Sequence, residues 1–281
     1  MVAQGLLTKK QLRSAPWRRL PQDVYADAAL PVTHRLLVSA VGLTLPGGAG
    51  FTGRSAATSW GVRDVAAPGD PVEVLVPAGV RWNAGPGVRV RTIPTGRELV
   101  RCGRWLCASR ADTAVDLARW AVTEEEAVVL LDLLCHAGMV RVEDVRAAVA
   151  ALVPCRGSAQ ARRAAELADG LAESPQETRL RLVLARFGLP APVAQHRVFD
   201  DEGFIGRLDL AYPDLKIAIE YDGLWHGERQ AFLGDRRRLN RLVAAGWVVL
   251  HVTLEDLRNP ARLAARVQAM RAQRLMSANA R

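Results

Sequence analysis

Residues 216–223 read KIAIEYDG, and this stretch decides the fold of the C-terminal part of the chain. Successive side chains of a strand point to opposite faces, so Ile217 and Ile219 are expected to face a core. Glu220 and Asp222 then share the other face. Two carboxylates at that spacing repel each other and need a cation or solvent nearby. The pattern predicts a strand with a core on one face and paired carboxylates on the other.

The segment before it adds a third carboxylate. Residues 207–211 read RLDLA, which predicts that Leu208 and Leu210 face the core and that Asp209 faces away. An antiparallel pairing would bring Asp209 within reach of Glu220. Carboxylates that leave positions open for water and phosphate oxygens suit Mg²⁺, which can activate a water for phosphodiester hydrolysis. Taken alone, Asp209 also fits a surface residue of an edge strand, and Glu220 with Asp222 also fits a charged strand end.

The C-terminal segment, from about residue 171, is predicted to run helix, strand, strand, strand, helix, strand, helix. Ser174 and Glu177 have the spacing of a capping box at the first helix, a role compatible with support of a metal site. The helix before residue 246 is predicted to end at Gly246. The remaining elements are expected at residues 194–199, 205–211, 215–221, 229–245, 247–252 and 260–275.

Five blocks within residues 170–260 carry a family resemblance, and they are Glu177, residues 206–211, residues 219–223 with His226, Asp235-Arg236 and residues 245–249. They resemble a small endonuclease-like family of unknown function, related in fold to very-short-patch-repair endonuclease within the PD-(D/E)XK nuclease superfamily. The resemblance implies a restriction-endonuclease-like α-β-β-β-α-β core whose carboxylates bind Mg²⁺ or Mn²⁺ for DNA cleavage. It implies that Asp209 and Glu220 are the motif acids and that Glu177 is the helix acid which some members add.

The sequence departs from the superfamily two residues after the second acid, where Lys is usual and Asp222 stands. Asp222 could bind metal or act as a base, but it cannot supply a positive charge. His226 and Arg236 are candidates, by position, for the missing cation. Trp225 would stack on a base or wedge a duplex; the alternative is a loop tryptophan that packs on its own domain.

Arginines follow the motif on the next predicted helix, and Arg236, Arg237 and Arg241 are the predicted nucleic-acid-binding residues. Arg237 and Arg241 are four residues apart and share a helix face. A basic ridge beside a carboxylate site would hold phosphates. The alternative is a solvated face that pairs with Asp235.

The N-terminal segment, residues 1–60, is predicted to contain a short helix opening at Thr8, a hairpin at residues 17–26 and a helix within 31–45. Residues 6–26, and a helix at 112–119, resemble abortive-infection-type antitoxins with a winged-helix start; the alternative is an ordinary small α+β lobe. Residues 61–170 are predicted to form an α+β middle domain with a scaffold role. The predicted fold class is therefore α/β, in three parts: residues 1–60, 61–170 and an endonuclease-like domain at 171–281.

Composition limits the classes of protein. With 281 residues and a hydrophobic fraction of 49%, the chain can bury a sizeable core. No run approaches the roughly 18 apolar residues of a membrane span, and no secretory signal is recognised, so we expect a cytoplasmic protein. Its four cysteines lack the paired CxxC spacing of a zinc site, and we expect them to be reduced.

Positive charge lies at the two ends of the chain. The net charge is +5 over residues 1–60, zero over 61–170 and +4 over 171–281. Two basic segments fit a polyanion such as DNA, although the codon bias of a GC-rich genome also enriches arginine. The sequence predicts a metal-dependent DNA endonuclease, and cutting both strands would favour a homodimer. The alternatives are a non-catalytic DNA-binding regulator of antitoxin type and an interaction protein with a decayed nuclease fold.

Overall fold

The structure is a computed structural model, and it describes residues 7–222 and 229–279. The chain divides into two compact units, residues 1–166 and residues 167–281, each of which combines helices with β-sheet. Among the described residues, every helix is too short or too polar to cross a membrane.

The first unit begins with a helix and a hairpin. Thr8 caps the first helix in a reciprocal capping box with Gln11, as predicted. The helices are α1 (Lys9–Leu12), α2 (His34–Gly42), α3 (Gly53–Ser59), α4 (Arg110–Trp120), α5 (Glu124–His136), α6 (Val142–Ala150) and α7 (Ser158–Leu167). The strands are β1 (Trp17–Arg19), β2 (Tyr25–Asp27), β3 (Gly50–Phe51), β4 (Val72–Val76), β5 (Val88–Thr92), β6 (Val100–Cys102) and β7 (Trp105–Cys107).

Two sheets form within residues 7–166. β1 and β2 pair antiparallel, which confirms the predicted hairpin. The other sheet has the order β5-β4-β3-β7-β6, with β4 parallel to β5 and β3 parallel to β7. Every residue of β4 is buried, as expected for a strand covered on both faces. This sheet combines β3, which precedes residue 60, with the strands β4 to β7, which follow it.

The second unit contains the predicted carboxylate strands. Its helices are α8 (Pro175–Arg186), α9 (Arg229–Ala244), α10 (Leu254–Arg258) and α11 (Pro260–Asn279). Its strands are β8 (Val193–Asp200), β9 (Gly203–Tyr212), β10 (Ile217–Tyr221) and β11 (Val248–Val252). Within residues 167–222 and 229–279 they form one sheet in the order β11-β10-β9-β8, in which β10 and β11 are parallel and the other neighbours antiparallel.

Helices cover both faces of this sheet. On one face Ile217 and Ile219 of β10 are fully buried in a cluster with Leu180 of α8 and Leu263 of α11. On the other face Ala218 of β10 lies in a second cluster with Leu242 of α9 and with Trp247, which immediately precedes β11. The predicted direction of Ile217 and Ile219 is therefore confirmed.

The regular alternation fails in β9 next to Asp209. Leu210 packs with the cluster of Ile217 and Ile219, whereas Leu208 packs in the cluster on the opposite face. The prediction that both leucines face one core is wrong. Two features account for the break. Gln195 of β8 lies between the residues that pair with these leucines, and its φ is 52°. In addition, the Asp209 carboxylate, in place of a backbone carbonyl, accepts a backbone N–H of β10.

Candidate active site

Glu177 lies in the first turn of α8. The Ser174 side chain accepts a hydrogen bond from the Glu177 backbone N–H at 3.2 Å, which is the predicted cap. The Glu177 carboxylate does not return to the Ser174 backbone as a reciprocal capping box requires. It accepts hydrogen bonds from the backbone N–H of Glu173 and from Nε2 of Gln195, both at 2.9 Å. The side chain is buried and is held between the helix start and β8.

Asp209 lies in β9 beside the end of β10. Its Oδ2 accepts a hydrogen bond from the Tyr221 backbone N–H at 2.8 Å. Burial raises the pKa of Asp209 to about 6, and the negative charges of Glu177 and Glu220 add to the rise. We call Glu177, Asp209 and Glu220 the carboxylate cluster, because a helix and two neighbouring strands bring these acids together.

Glu220 is the buried acid of β10, and Arg238 of α9 holds it with two guanidinium nitrogens. Nη1 donates to Oε2 at 3.2 Å, and Nη2 donates to Oε1. Nη2 also donates to the backbone carbonyl of Arg207 at 3.1 Å. Two nitrogens of one guanidinium on two oxygens of one carboxylate fix both charge and orientation.

The sequence did not identify Arg238 as the partner of Glu220. A signal for it is present at Gly206, a glycine inside a strand, which often marks a close approach of another group. A Cβ at Gly206 would lie 2.5 Å from Nε of Arg238. The glycine therefore leaves the space through which Arg238 reaches across β9.

The other predicted site residues have different surroundings. Asp222 is exposed one residue beyond β10, and its backbone N–H donates to the carbonyl of Val252 at 2.8 Å. Arg236 and Arg237 are exposed on α9. Arg241 instead contacts the turn between β8 and β9, where its Nε donates a hydrogen bond to the Asp200 carboxylate at 2.8 Å. Trp225 and His226 lie outside the described residues.

The carboxylate cluster fits a hard divalent cation in its chemistry. Within residues 7–222 and 229–279, no group of three or more His, Cys, Asp or Glu side chains is arranged to hold a metal ion by itself. Mg²⁺ does not need such a cage, because it commonly uses one or two carboxylates together with waters and substrate phosphates. Asp209 and Glu220 are two such carboxylates, and a bound cation would offset both the burial and the neighbouring negative charges that raise the pKa of Asp209.

The first unit also buries acids, but guanidinium groups hold them. Asp116 is fully buried, with its Oδ2 2.6 Å from Nη1 of Arg97 and its Oδ1 3.5 Å from Nη1 of Arg119. Glu73 lines a cavity of about 220 Å³ and lies 3.2 Å from Nη1 of Arg91. These contacts agree with the scaffold role expected for this part of the chain, which stays a prediction.

The arginines of the β1–β2 hairpin are also used internally. Nη1 and Nη2 of Arg18 donate to the carbonyls of Leu30 and Ala28 at 2.9 and 3.0 Å. Arg19 pairs with Asp23. The resemblance of this segment to a winged helix stays a prediction, and its two arginines already have protein partners.

Comparison with known proteins gives relatives from Mycobacterium tuberculosis. No protein-family model matches the chain. The crystal structure of the RV2827C protein from Mycobacterium tuberculosis aligns with 69% of this chain and 76% of that protein, at 14% sequence identity and a TM-score of 0.36. So low a TM-score does not establish a common fold.

Sequence similarity is closer to two other proteins. The uncharacterized protein MT2308 of strain CDC 1551 / Oshkosh is 35% identical over 193 residues, which are 65% of this chain and 70% of that protein. The uncharacterized protein Rv2248 of strain ATCC 25618 / H37Rv matches with the same values. The chain therefore belongs to the family of these two mycobacterial proteins.

Proposed function

We propose that this protein is a divalent-metal-dependent DNA endonuclease whose site is the carboxylate cluster. The observation that carries the proposal is the placement of Asp209 and Glu220 on the adjacent strands β9 and β10, with Glu177 of α8 close enough for its charge to act on Asp209. Burial of several carboxylates in one place costs folding free energy. Binding of a cation and a phosphodiester would be the function for which the fold bears this cost.

The order of elements in the second unit supports the proposal. From α8 to β11 it runs helix, three strands, helix, strand, which is the order implied by the family resemblance. We propose on this basis that the second unit is a restriction-endonuclease-like core. Glu177, Asp209 and Glu220 lie on α8, β9 and β10, which supports the roles proposed for them.

Each residue has a task in this proposal. Asp209 and Glu220 would hold Mg²⁺ or Mn²⁺, which when bound lowers the pKa of a water and stabilises the leaving oxygen of the phosphodiester. Glu177 would orient a water, and Asp222 would act as a ligand or a base. The exposed Arg236 and Arg237 would contact phosphates of the DNA, and a homodimer would allow both strands to be cut.

Plasmid cleavage tests the proposal. Supercoiled, linear and single-stranded DNA would be incubated with the full chain in Mg²⁺ and in Mn²⁺. Glu220→Gln keeps the size of the side chain and removes its charge, so we expect it to lose metal-dependent cutting. Asp201→Ala, which removes an exposed acid from the β8–β9 turn, is the control and should cut like the wild type.

The same experiment separates the alternative functions. No cutting in either metal, with equal salt-dependent DNA binding by wild type and Glu220→Gln, would replace the nuclease with a non-catalytic DNA-binding regulator. Absence of both cutting and binding would favour an interaction protein.

A further inference from the structure

Arg238 contributes the guanidinium that contacts the carboxylate cluster. Among the described residues, the contacts of Glu177 and Asp209 are with backbone N–H groups and an amide, whereas Glu220 is held by Arg238. Two guanidinium nitrogens of Arg238 donate to the two carboxylate oxygens of Glu220. The positive charge of Arg238 therefore offsets part of the repulsion within the cluster.

The position of Arg238 is built into the fold. Its Nη2 is anchored on the backbone carbonyl of Arg207, and its Nε passes over Gly206, where a Cβ would collide with it. Both Oε1 and Oε2 of Glu220 accept from the guanidinium. A metal ion that binds Glu220 would therefore have to compete with these charge-assisted hydrogen bonds.

We propose that Arg238 is a resident counterion that competes with the divalent metal for Glu220, so that metal binding requires the guanidinium to withdraw. This inference rests on the proposed function and assigns to Arg238 a positioning role at its metal site. The withdrawn guanidinium would stay on α9 next to the carboxylates, where a DNA phosphate could take the place of Glu220 as its partner.

The competition predicts opposite effects of one substitution. Removal of the Arg238 charge leaves Glu220 less neutralised beside Asp209, so the metal-free protein should lose stability. The same removal frees both oxygens of Glu220 and increases the local negative charge, so a divalent cation should bind more tightly. A purely structural arginine would lower stability and would leave metal affinity unchanged or reduced.

Mn²⁺ titration of the full chain measures the competition, with free Mn²⁺ followed by electron paramagnetic resonance. Arg238→Gln should bind Mn²⁺ at least about tenfold more tightly than the wild type, because a unit charge at about 4 Å is worth more than that factor at an effective dielectric constant of about 20. Its urea midpoint without metal should be lower. Arg186→Gln, which makes the same charge change at an exposed arginine in the last turn of α8, should leave the affinity within about twofold, since exposed charges are strongly screened.

Gly206→Ala provides a second variant that keeps the arginine and displaces it. Because the new Cβ would meet Nε of Arg238, this variant should also bind Mn²⁺ more tightly than the wild type. Equal or weaker binding by both Arg238→Gln and Gly206→Ala, with measurable binding by the wild type, overturns the role of Arg238 alone. No Mn²⁺ binding by the wild type or by either variant overturns the proposed metal site itself.

Discussion

Two glutamates occupy the same place at the start of a helix, Glu126 in the first unit and Glu177 in the second. The caps Thr123 and Ser174 accept from the backbone N–H of these glutamates at 3.1 and 3.2 Å. Each glutamate carboxylate then accepts from the backbone N–H of the residue before the cap, at 3.0 and 2.9 Å. The local sequence signal produces the same local structure twice.

Their tertiary partners differ. The second oxygen of Glu126 pairs with Nη2 of Arg54 at 2.7 Å, so its charge is neutralised inside the first unit. Glu177 instead receives the Gln195 amide and faces Asp209. Burial raises the pKa of both Asp116 and Asp209, but two arginines and Thr52 hold Asp116, whereas Asp209 lies near other acids. Arginines pair with Glu126 and Asp116, whereas Glu177 and Asp209 meet backbone N–H groups and an amide, a difference that agrees with the cation site proposed for the second unit.

The largest expected effect comes from removing an arginine-paired acid of the first unit. Asp116→Asn should destabilise the protein by about 3 kcal/mol, because it leaves the largely buried guanidiniums of Arg97 and Arg119 without their shared carboxylate. Urea unfolding at neutral pH measures the loss. Arg141→Ala, which removes the exposed pair with Asp144, is the control and should leave the midpoint unchanged. Equal midpoints for the two variants would contradict the structural role of Asp116.

The next effect has the opposite sign and depends on pH. The pKa of Asp209 is about 6 in the folded state, above its value of about 4 in an unfolded chain, so folding favours the protonated acid. Its stabilising contribution is complete below about pH 4 and is lost as the pH rises through about 6.

Asp209→Asn should remove that dependence. Asparagine can still accept the Tyr221 N–H, so we expect the variant to be more stable than the wild type at pH 8 by about 1–2 kcal/mol, after allowance for partial exposure. The difference should shrink at pH 4.5. A variant that is less stable than the wild type at pH 8 would show that Asp209 is compensated like Asp116.

The smallest effect tests the shared helix starts. Thr123→Ala and Ser174→Ala should each cost about 1 kcal/mol, because each leaves one helix N–H without its acceptor. If Glu177 belongs to the carboxylate cluster, Ser174→Ala should also weaken Mn²⁺ binding, whereas Thr123→Ala should not. Equal metal affinity in both variants would show that Glu177 takes no part in metal binding.

Sequence patterns found the long and locally marked elements. The helix start at Thr8, the cap at Ser174, the hairpin predicted at residues 17–26 and the buried side of β10 follow from residue type and spacing. No pattern predicts β3, β6 or β7, because these strands are two or three residues long and carry too few residues to show a period. Their formation depends on neighbouring strands within the sheet.

The sequence by itself determined that Asp209 and Glu220 lie on neighbouring antiparallel strands, because apolar residues and a short turn mark β9 and β10. The family resemblance added Glu177 on α8, and the alternation predicted around Asp209 was wrong. Only the tertiary structure decided what each acid meets. Arg238 and Arg241 lie three residues apart on one helix, yet the first holds Glu220 and the second holds Asp200. Charge pairing depends on distances between side chains from distant segments, and those distances are set by the packing of α9 over the sheet, to which no local pattern is sensitive.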